Sequence, residues 1–225
     1  MHTLLPLHPY PVVGEAVWRA VAGCGTDLTV VVSLAGGPEG GPGGCPQPPS
    51  GSVSAGHPAA PALGPAPAAR YAAALGRLAA AGVPMLGRID LARGDRPLAE
   101  VLADVARWSA YPIGGVLFDR APTDAASLGA VALAIRVARR GGLAAAVLNP
   151  GRPPDPRYRE LEAALCVFEG SWSAYRSWSA AGAEPGDGHL VYGVPPAEQL
   201  AARRLLGRRG AGFGLVTDGV PPHPY

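Results

Sequence analysis

IGGVLFD (Ile113–Asp119), TDAASLGAVALAIRVARRGG (Thr123–Gly142) and LAAAVLN (Leu143–Asn149) follow one another almost without spacers. The first and third are short, continuously apolar runs. The second has apolar residues at helical spacing, with Thr123 placed to cap its start and Gly141 to stop it. Strand, helix and strand in that order predict two parallel strands joined by a crossover helix, because parallel pairing needs a long connection. Each strand closes on a polar residue, Asp119 or Asn149. For Asp119 two readings are open: a catalytic carboxylate at a strand end, or half of an ion pair that ends the strand.

The same alternation extends in both directions. Upstream lie strands LLPLH (Leu4–His8), LTVVVSL (Leu28–Leu34) and PMLGRID (Pro84–Asp90), with helices over Gly14–Gly23, Ala69–Gly82 and Arg96–Ser109. Pro97 occupies the favoured first turn of the last of these. Downstream lie a short helix near Pro156–Ala163, strand ALCVFE (Ala164–Glu169), a short helix around Trp172–Ala180, strand HLVYG (His189–Gly193), a helix over Pro196–Gly210 and strand GFGLVT (Gly212–Thr217). One tract breaks the rhythm: Gly36 to Ala69 is almost wholly Gly, Pro, Ala and Ser, and reads as a loop without a packed element of its own.

Eight strands with intervening helices in 225 residues predict an α/β fold, a single-domain (β/α)8 TIM barrel over 1–225, with a low-complexity insertion at 44–69 after strand two. An open doubly wound sheet is the competitor. It calls for a glycine fingerprint after the first strand, and HPYPVVGEA is not one.

In such a barrel the C-terminal strand ends form the mouth. They read His8, Ser33, Asp90, Asp119, Asn149, Glu169, Tyr192, and Thr217 with Asp218, all polar. The opposite ends are apolar or glycine, with His189 the exception. General polarity of strand ends would act equally on both, so the asymmetry points to a polar cleft at one end.

Composition narrows what that cleft serves. With 19 basic and 17 acidic residues the net charge is +2, which gives no support for nucleic-acid or membrane binding. Cys24, Cys45 and Cys166 have no CxxC spacing, and the histidines form no HxH or HExxH pattern, so neither a metal nor a cofactor is expected. MHTLLPLHPYP lacks the basic and apolar segments of a signal peptide, so the chain as written is expected to be cytoplasmic; a start site further upstream would make it secreted.

Asp119 and Glu169 are the natural acid/base pair, on strands four and six, with backbones about 10 Å apart across two strand spacings. Side chains leaning inward reach either the close separation of retaining glycosidases or the wider one of inverting enzymes, so the stereochemistry is open. Asp90 is a third carboxylate, and Arg88, two residues earlier on the same face, is placed to neutralise it. Trp172, Tyr175 and Trp178 share a helix face; Trp172 reads either as a stacking platform for a sugar or as core, Trp178 as core.

LLPLHPYP, GGPEGGPG, LGRIDLARGDRP, YPIGGVLFD, LNPG, VFEGSW, LVYGVPP and LVTDGVPPHPY occur in an order and spacing that resemble the spherulation-specific family 4 (spherulin-four-like) proteins. The resemblance spans the chain outside Gly44–Ala69. It implies a glycoside-hydrolase barrel acting on amino-sugar-containing microbial exopolysaccharide of the galactosaminogalactan kind. The family's carboxylates lie in Phe-Asp-Glu and Phe-Glu-Gly motifs, matched here by Asp119 and Glu169. The resemblance and the mouth together mark His8, Arg88, Asp90, Arg120, Asn149, Trp172, Tyr192 and Asp218 as carbohydrate-contacting candidates.

Departures from the pattern are as informative. The Glu that follows the strand-four Asp is Arg120 here; the loop Asn and Ser are Gly37 and Gly40; two Tyr positions are Arg88 and Arg93; a strand-seven His is Tyr192. A guanidinium in place of a carboxyl removes a proton carrier and adds a permanent cation, placed to hold Asp119 or Glu169 ionised. The chain thus reads as a polysaccharide hydrolase with a retained or degraded site, or as a non-catalytic carbohydrate-binding barrel using Arg88, Arg120 and Trp172.

Overall fold

The computed structural model describes residues 2–7, 15–24, 26, 28–33 and 67–221. Eight strands form a closed barrel in sequence order: β1 (His2–Leu7), β2 (Leu28–Val32), β3 (Met85–Asp90), β4 (Gly115–Asp119), β5 (Ala145–Asn149), β6 (Ala164–Ser171), β7 (Gly188–Tyr192) and β8 (Phe213–Val216). Every neighbouring pair is parallel, and β8 closes on β1 through His2 opposite Phe213. Between the strands run α1 (Glu15–Ala22), α2 (Pro67–Ala80), α3 (Leu98–Trp108), α4 (Leu128–Arg140), α5 (Trp172–Ser177) and α6 (Gln199–Arg208), with a 3₁₀ segment Pro156–Leu161 before β6. The (β/α)8 barrel expected from the sequence is the fold observed.

Two differences are local. The helix expected from Ala69 begins at Pro67, so the last three residues of the anticipated insertion are helical; 44–66 lie outside the described residues. The helix expected from Thr123 begins at Leu128, because Asp124 accepts the Ser127 N–H at 2.9 Å and ties the intervening residues into a turn.

Side chains sort onto two faces of the wall by strand alternation. Inside, each strand contributes one residue to a layer: Leu4, Val31, Leu86, Leu117, Val147, Cys166, Leu190 and Leu215. Outside, Val30, Met85, Ile89, Val116, Phe118, Ala146 and Leu148 pack under the helices with Trp108, Ile135 and Leu75. Trp108 of α3 lies so close over Gly87 that any Cβ there would overlap its indole, and its ring N–H donates to the Arg88 carbonyl at 3.1 Å. That contact seats α3 directly behind the strand that carries Arg88 and Asp90. In register, Asp90 stands opposite Asp119 and Asp119 opposite Asn149, so three polar ends occupy one level.

Strand β6 breaks the alternation. Cys166 faces inward, Val167 and Phe168 both pack outside, and the register against β7 shifts between Cys166 and Phe168. This bulge turns Glu169 to the inward face at the open mouth, where it stays exposed, three residues after Cys166; strict alternation would have turned it out. It is the backbone device that aims the second carboxylate into the mouth.

Candidate active site

On β3, Arg88 and Asp90 share the inward face with Leu86; on β4 and β5, Asp119 and Asn149 share it with Leu117 and Val147. Arg88 donates to Asp119 Oδ2 from Nε at 2.8 Å and from Nη2 at 2.5 Å. Asn149 Nδ2 donates both to Asp119 Oδ1 at 2.9 Å and to Glu169 Oε2 at 2.6 Å. Two acceptors on one amide nitrogen fix the orientation of the Asn149 amide, since its oxygen in that place would face two carboxylates. They also bring the accepting oxygens of Asp119 and Glu169 to within about 5.5 Å of each other, the reach of one shared donor. Asn149 is buried, and its Oδ1 has no partner among the described residues.

Asp90 has a different partner from the one its sequence neighbour suggested. Arg120 grips it with both arms, Nε to Oδ1 at 2.9 Å and Nη2 to Oδ2, while the Ala92 N–H donates to Oδ1 at 2.8 Å. Burial pushes the Asp90 carboxyl up, but the Arg120 and Ala92 hydrogen bonds and the charges of Arg120 and Arg88 outweigh it and hold the group below the usual carboxylate range. Arg120 is raised in turn, first by its hydrogen bond to Asp90.

The pairing expected between Arg88 and Asp90 is therefore replaced by a crossed arrangement, Arg88 with Asp119 and Arg120 with Asp90. The reason lies in the backbone. Arg120 stands just past the strand end with φ +46, a left-handed turn that swings its side chain back over β3. Asp90 is then fully engaged, and Arg88 reaches the carboxylate of the next strand. The expectation that Arg120 would pair with Asp119 or Glu169 is corrected by the same geometry. The two strand-end loops are joined by main-chain bonds from Leu91 N to Asp119 O, Arg93 N to Arg120 O and Ala121 N to Asn149 O.

The other predicted residues are more scattered. Trp172 is 7% exposed: it stacks on Tyr175, carries the Arg176 guanidinium over its ring, and donates its N–H to Glu198 at 2.7 Å. With those contacts its faces belong to the outer core around α5, so the sugar-platform reading of Trp172 is not met. Tyr192 is half-buried at the end of β7, beside Ser171 of β6. Asp218 is exposed two residues beyond β8. His8 lies outside the described residues.

Sequence reasoning missed the shared Asn149 donor, the crossed ion pairs and the bulge. No local signal announces the bulge; it follows only once Cys166 and Glu169 are both required inside, three residues apart. His189, the one polar residue among the opposite strand ends, is outside the wall. It is fully buried under α5, with Nδ1 2.8 Å from the Tyr175 hydroxyl. Burial lowers it to about 4, helped by the Arg209 charge and opposed by Asp187.

At the barrel's other end lies a cavity of about 730 Å³ between His2, Thr29, Met85, Leu86, Ala164 and Phe213. Its lining is largely apolar and includes none of the mouth carboxylates. Among the described residues no cluster of His, Cys, Asp and Glu could hold a metal ion, and no helix is long and apolar enough to cross a membrane.

Comparison with known proteins places this geometry in context. The family described as spherulation-specific family 4 matches residues 58–216. Spherulin-4 of Physarum polycephalum is 27% identical over 182 residues, covering 78% of this chain and 48% of that protein, so the chain spans about half the length of the curated relative it matches. The crystal structure of Aspergillus clavatus Sph3 in complex with GalNAc aligns with a TM-score of 0.72 at 21% identity, over 98% of this chain and 90% of that one, a likeness of fold.

Proposed function

The chain belongs to the spherulation-specific family 4, and on that premise we propose that its barrel mouth hydrolyses amino-sugar-containing microbial exopolysaccharide, with Asp119 and Glu169 as the reacting carboxylates. The observation that carries this reading is the single Asn149 amide bridging both groups. Its two hydrogen bonds hold their near oxygens within about 5.5 Å of each other, an arrangement compatible with the close carboxyl pair of a retaining glycosidase.

The roles follow from what touches each group. Asp119 carries the Arg88 guanidinium and the Asn149 amide, the surroundings of a nucleophile that attacks as a carboxylate. Glu169 then protonates the departing glycosidic oxygen and later takes the proton of the water that releases the sugar. Support for the substrate class comes from Sph3, whose crystals hold GalNAc, an amino sugar. The alternative of a non-catalytic carbohydrate-binding barrel loses ground, since Arg120 is paired with Asp90 and Trp172 is buried.

The deciding experiment is release of reducing ends from a galactosamine-rich polymer by wild type, Asp119→Asn and Glu169→Gln. Turnover by wild type alone, with products whose anomeric configuration is retained by NMR, is the expected result. Equal rates in all three, or none in wild type, would end the hydrolase reading, and inverted products would end the assignment of Asp119 as nucleophile.

A further inference from the structure

We infer that Asp90 is a positioning residue whose part is to hold Arg120 away from the Asp119–Glu169 pair, and that the arginine at position 120 is what makes Asp90 necessary. The inference rests on the hydrolase reading of that pair.

Three observations carry it. First, Asp90 and Asp119 are register partners on adjacent parallel strands, so two carboxylates stand side by side on the same face. Two guanidiniums, Arg88 and Arg120, serve these two carboxylates, and the pairing is one to one: each grips a single carboxylate with two nitrogens. Second, Arg120 directly follows Asp119 in the chain and still feels its charge across the gap, which makes Asp119 the nearest alternative partner. Third, the Arg120–Asp90 pair is open to water, with side-chain exposures of 52% and 30%, so little besides Asp90 holds the cation on that side.

Removing the Asp90 charge leaves Arg120 with one carboxylate within reach, already occupied by Arg88 on Oδ2. A second guanidinium on Asp119 would cover the lone pairs needed for attack and set a bulky side chain where the sugar must lie. Asp90 prevents this by acting on Arg120, without touching a reacting atom.

The test is a double-mutant cycle on the full chain with the galactosamine-rich polymer as substrate. Asp90→Asn keeps an oxygen for the Ala92 N–H and removes the charge. It is expected to lower kcat about tenfold, the weight of one added ion pair on a reacting group. Adding Arg120→Gln to Asp90→Asn should raise kcat again, to the level set by Arg120→Gln alone, and Asp90→Glu should retain most activity. A merely structural Asp90 would leave the double variant as slow as Asp90→Asn; that result, or an Asp90→Asn variant equal to wild type, overturns the inference.

The Nε–H signal of Arg120 in NMR supplies a readout that does not need turnover. In Asp90→Asn it should move to a new bonded position and lose that position on adding Asp119→Asn. A signal that simply becomes solvent-exposed in Asp90→Asn also overturns the inference. An inactive wild type would remove the hydrolase reading while this measurement still reports where Arg120 goes.

Discussion

The two ends of the barrel are made by the same eight strands and are built on opposite plans. At the C-terminal end Arg88, Asp90, Asp119, Arg120, Asn149 and Glu169 are joined by direct hydrogen bonds across four strands. At the N-terminal end the inward positions are occupied by small residues such as Ala145 and Ala164, and a cavity of about 730 Å³ remains. A hollow lined mostly by apolar side chains, with His2 and Thr29 as polar members, suits an apolar body, whereas the charged cleft joins two carboxylates and a guanidinium through direct or shared hydrogen bonds. The difference teaches that the middle layer, from Leu4 round to Leu215, is a partition between a chemical end and a packing end.

The sharpest way to test that division is to disarm the chemical end alone. Glu169→Gln keeps the side-chain shape and removes the proton carrier, and should lower kcat by about 10²–10⁴ while the melting temperature stays close to wild type. Reducing-end release and thermal melting, measured together, check it. A large loss of stability with a small loss of rate would mean the mouth is a structural network and the division is misdrawn.

Arg88→Ala should show a smaller and mixed effect. It strips Asp119, whose side chain is 14% exposed, of its cation while leaving the carboxylate in place. Because Arg88 itself is 32% exposed, water screens part of the loss, and about 1–3 kcal/mol of stability is expected to go with the activity. Denaturant unfolding gives the figure, and Arg88→Lys should recover stability better than rate, since an ammonium restores charge without the fork.

How far the mouth could be read beforehand depends on how local each feature is. Asp119 and Asn149 were legible because a parallel strand buried on both faces is a run of apolar letters and its first polar letter marks its end. In β3 Arg88 precedes the end at Asp90, and β6 runs on past Glu169 to Ser171. The Arg88–Asp119 and Arg120–Asp90 pairing was not legible, since it depends on the left-handed φ of Arg120 and on strand register, neither of which a sequence spells out. Trp172 misled for a related reason. Helical spacing puts Trp172, Tyr175 and Trp178 on one face, but nothing in the spacing says whether that face meets sugar or the wall, and Glu198, which fixes it, is far away in sequence.

On the wall behind the packing end, His189 supplies a pH-dependent test. Burial lowers the folded-state pKa to about 4, below the ordinary value of 6.5, so the unfolded chain binds the proton more readily. Its contribution to stability is therefore complete above about pH 6.5 and is lost as pH falls from there toward 4, by about 3 kcal/mol. Denaturant midpoints from pH 7 to 4 should slope less in His189→Gln than in wild type. The kcat of the mouth, across the wall, should not follow that substitution at pH 7.

The smallest effects belong to the cavity, and they separate empty space from filled space at the same end. Ala164 lines the hollow, so Ala164→Leu adds apolar surface where there is room, and about 1 kcal/mol of stabilisation is expected, or about 2–4 °C in melting temperature. Gly188 faces the Phe213 ring, which any Cβ at that position would overlap, so Gly188→Ala should cost about 1–3 kcal/mol by forcing the ring aside. Opposite signs from two alanine-scale changes at one end of the barrel, each leaving kcat unaltered, are what a packing end requires. A fall in kcat with Ala164→Leu would show that the partition transmits its packing to the carboxylates, and that the two ends work as one site.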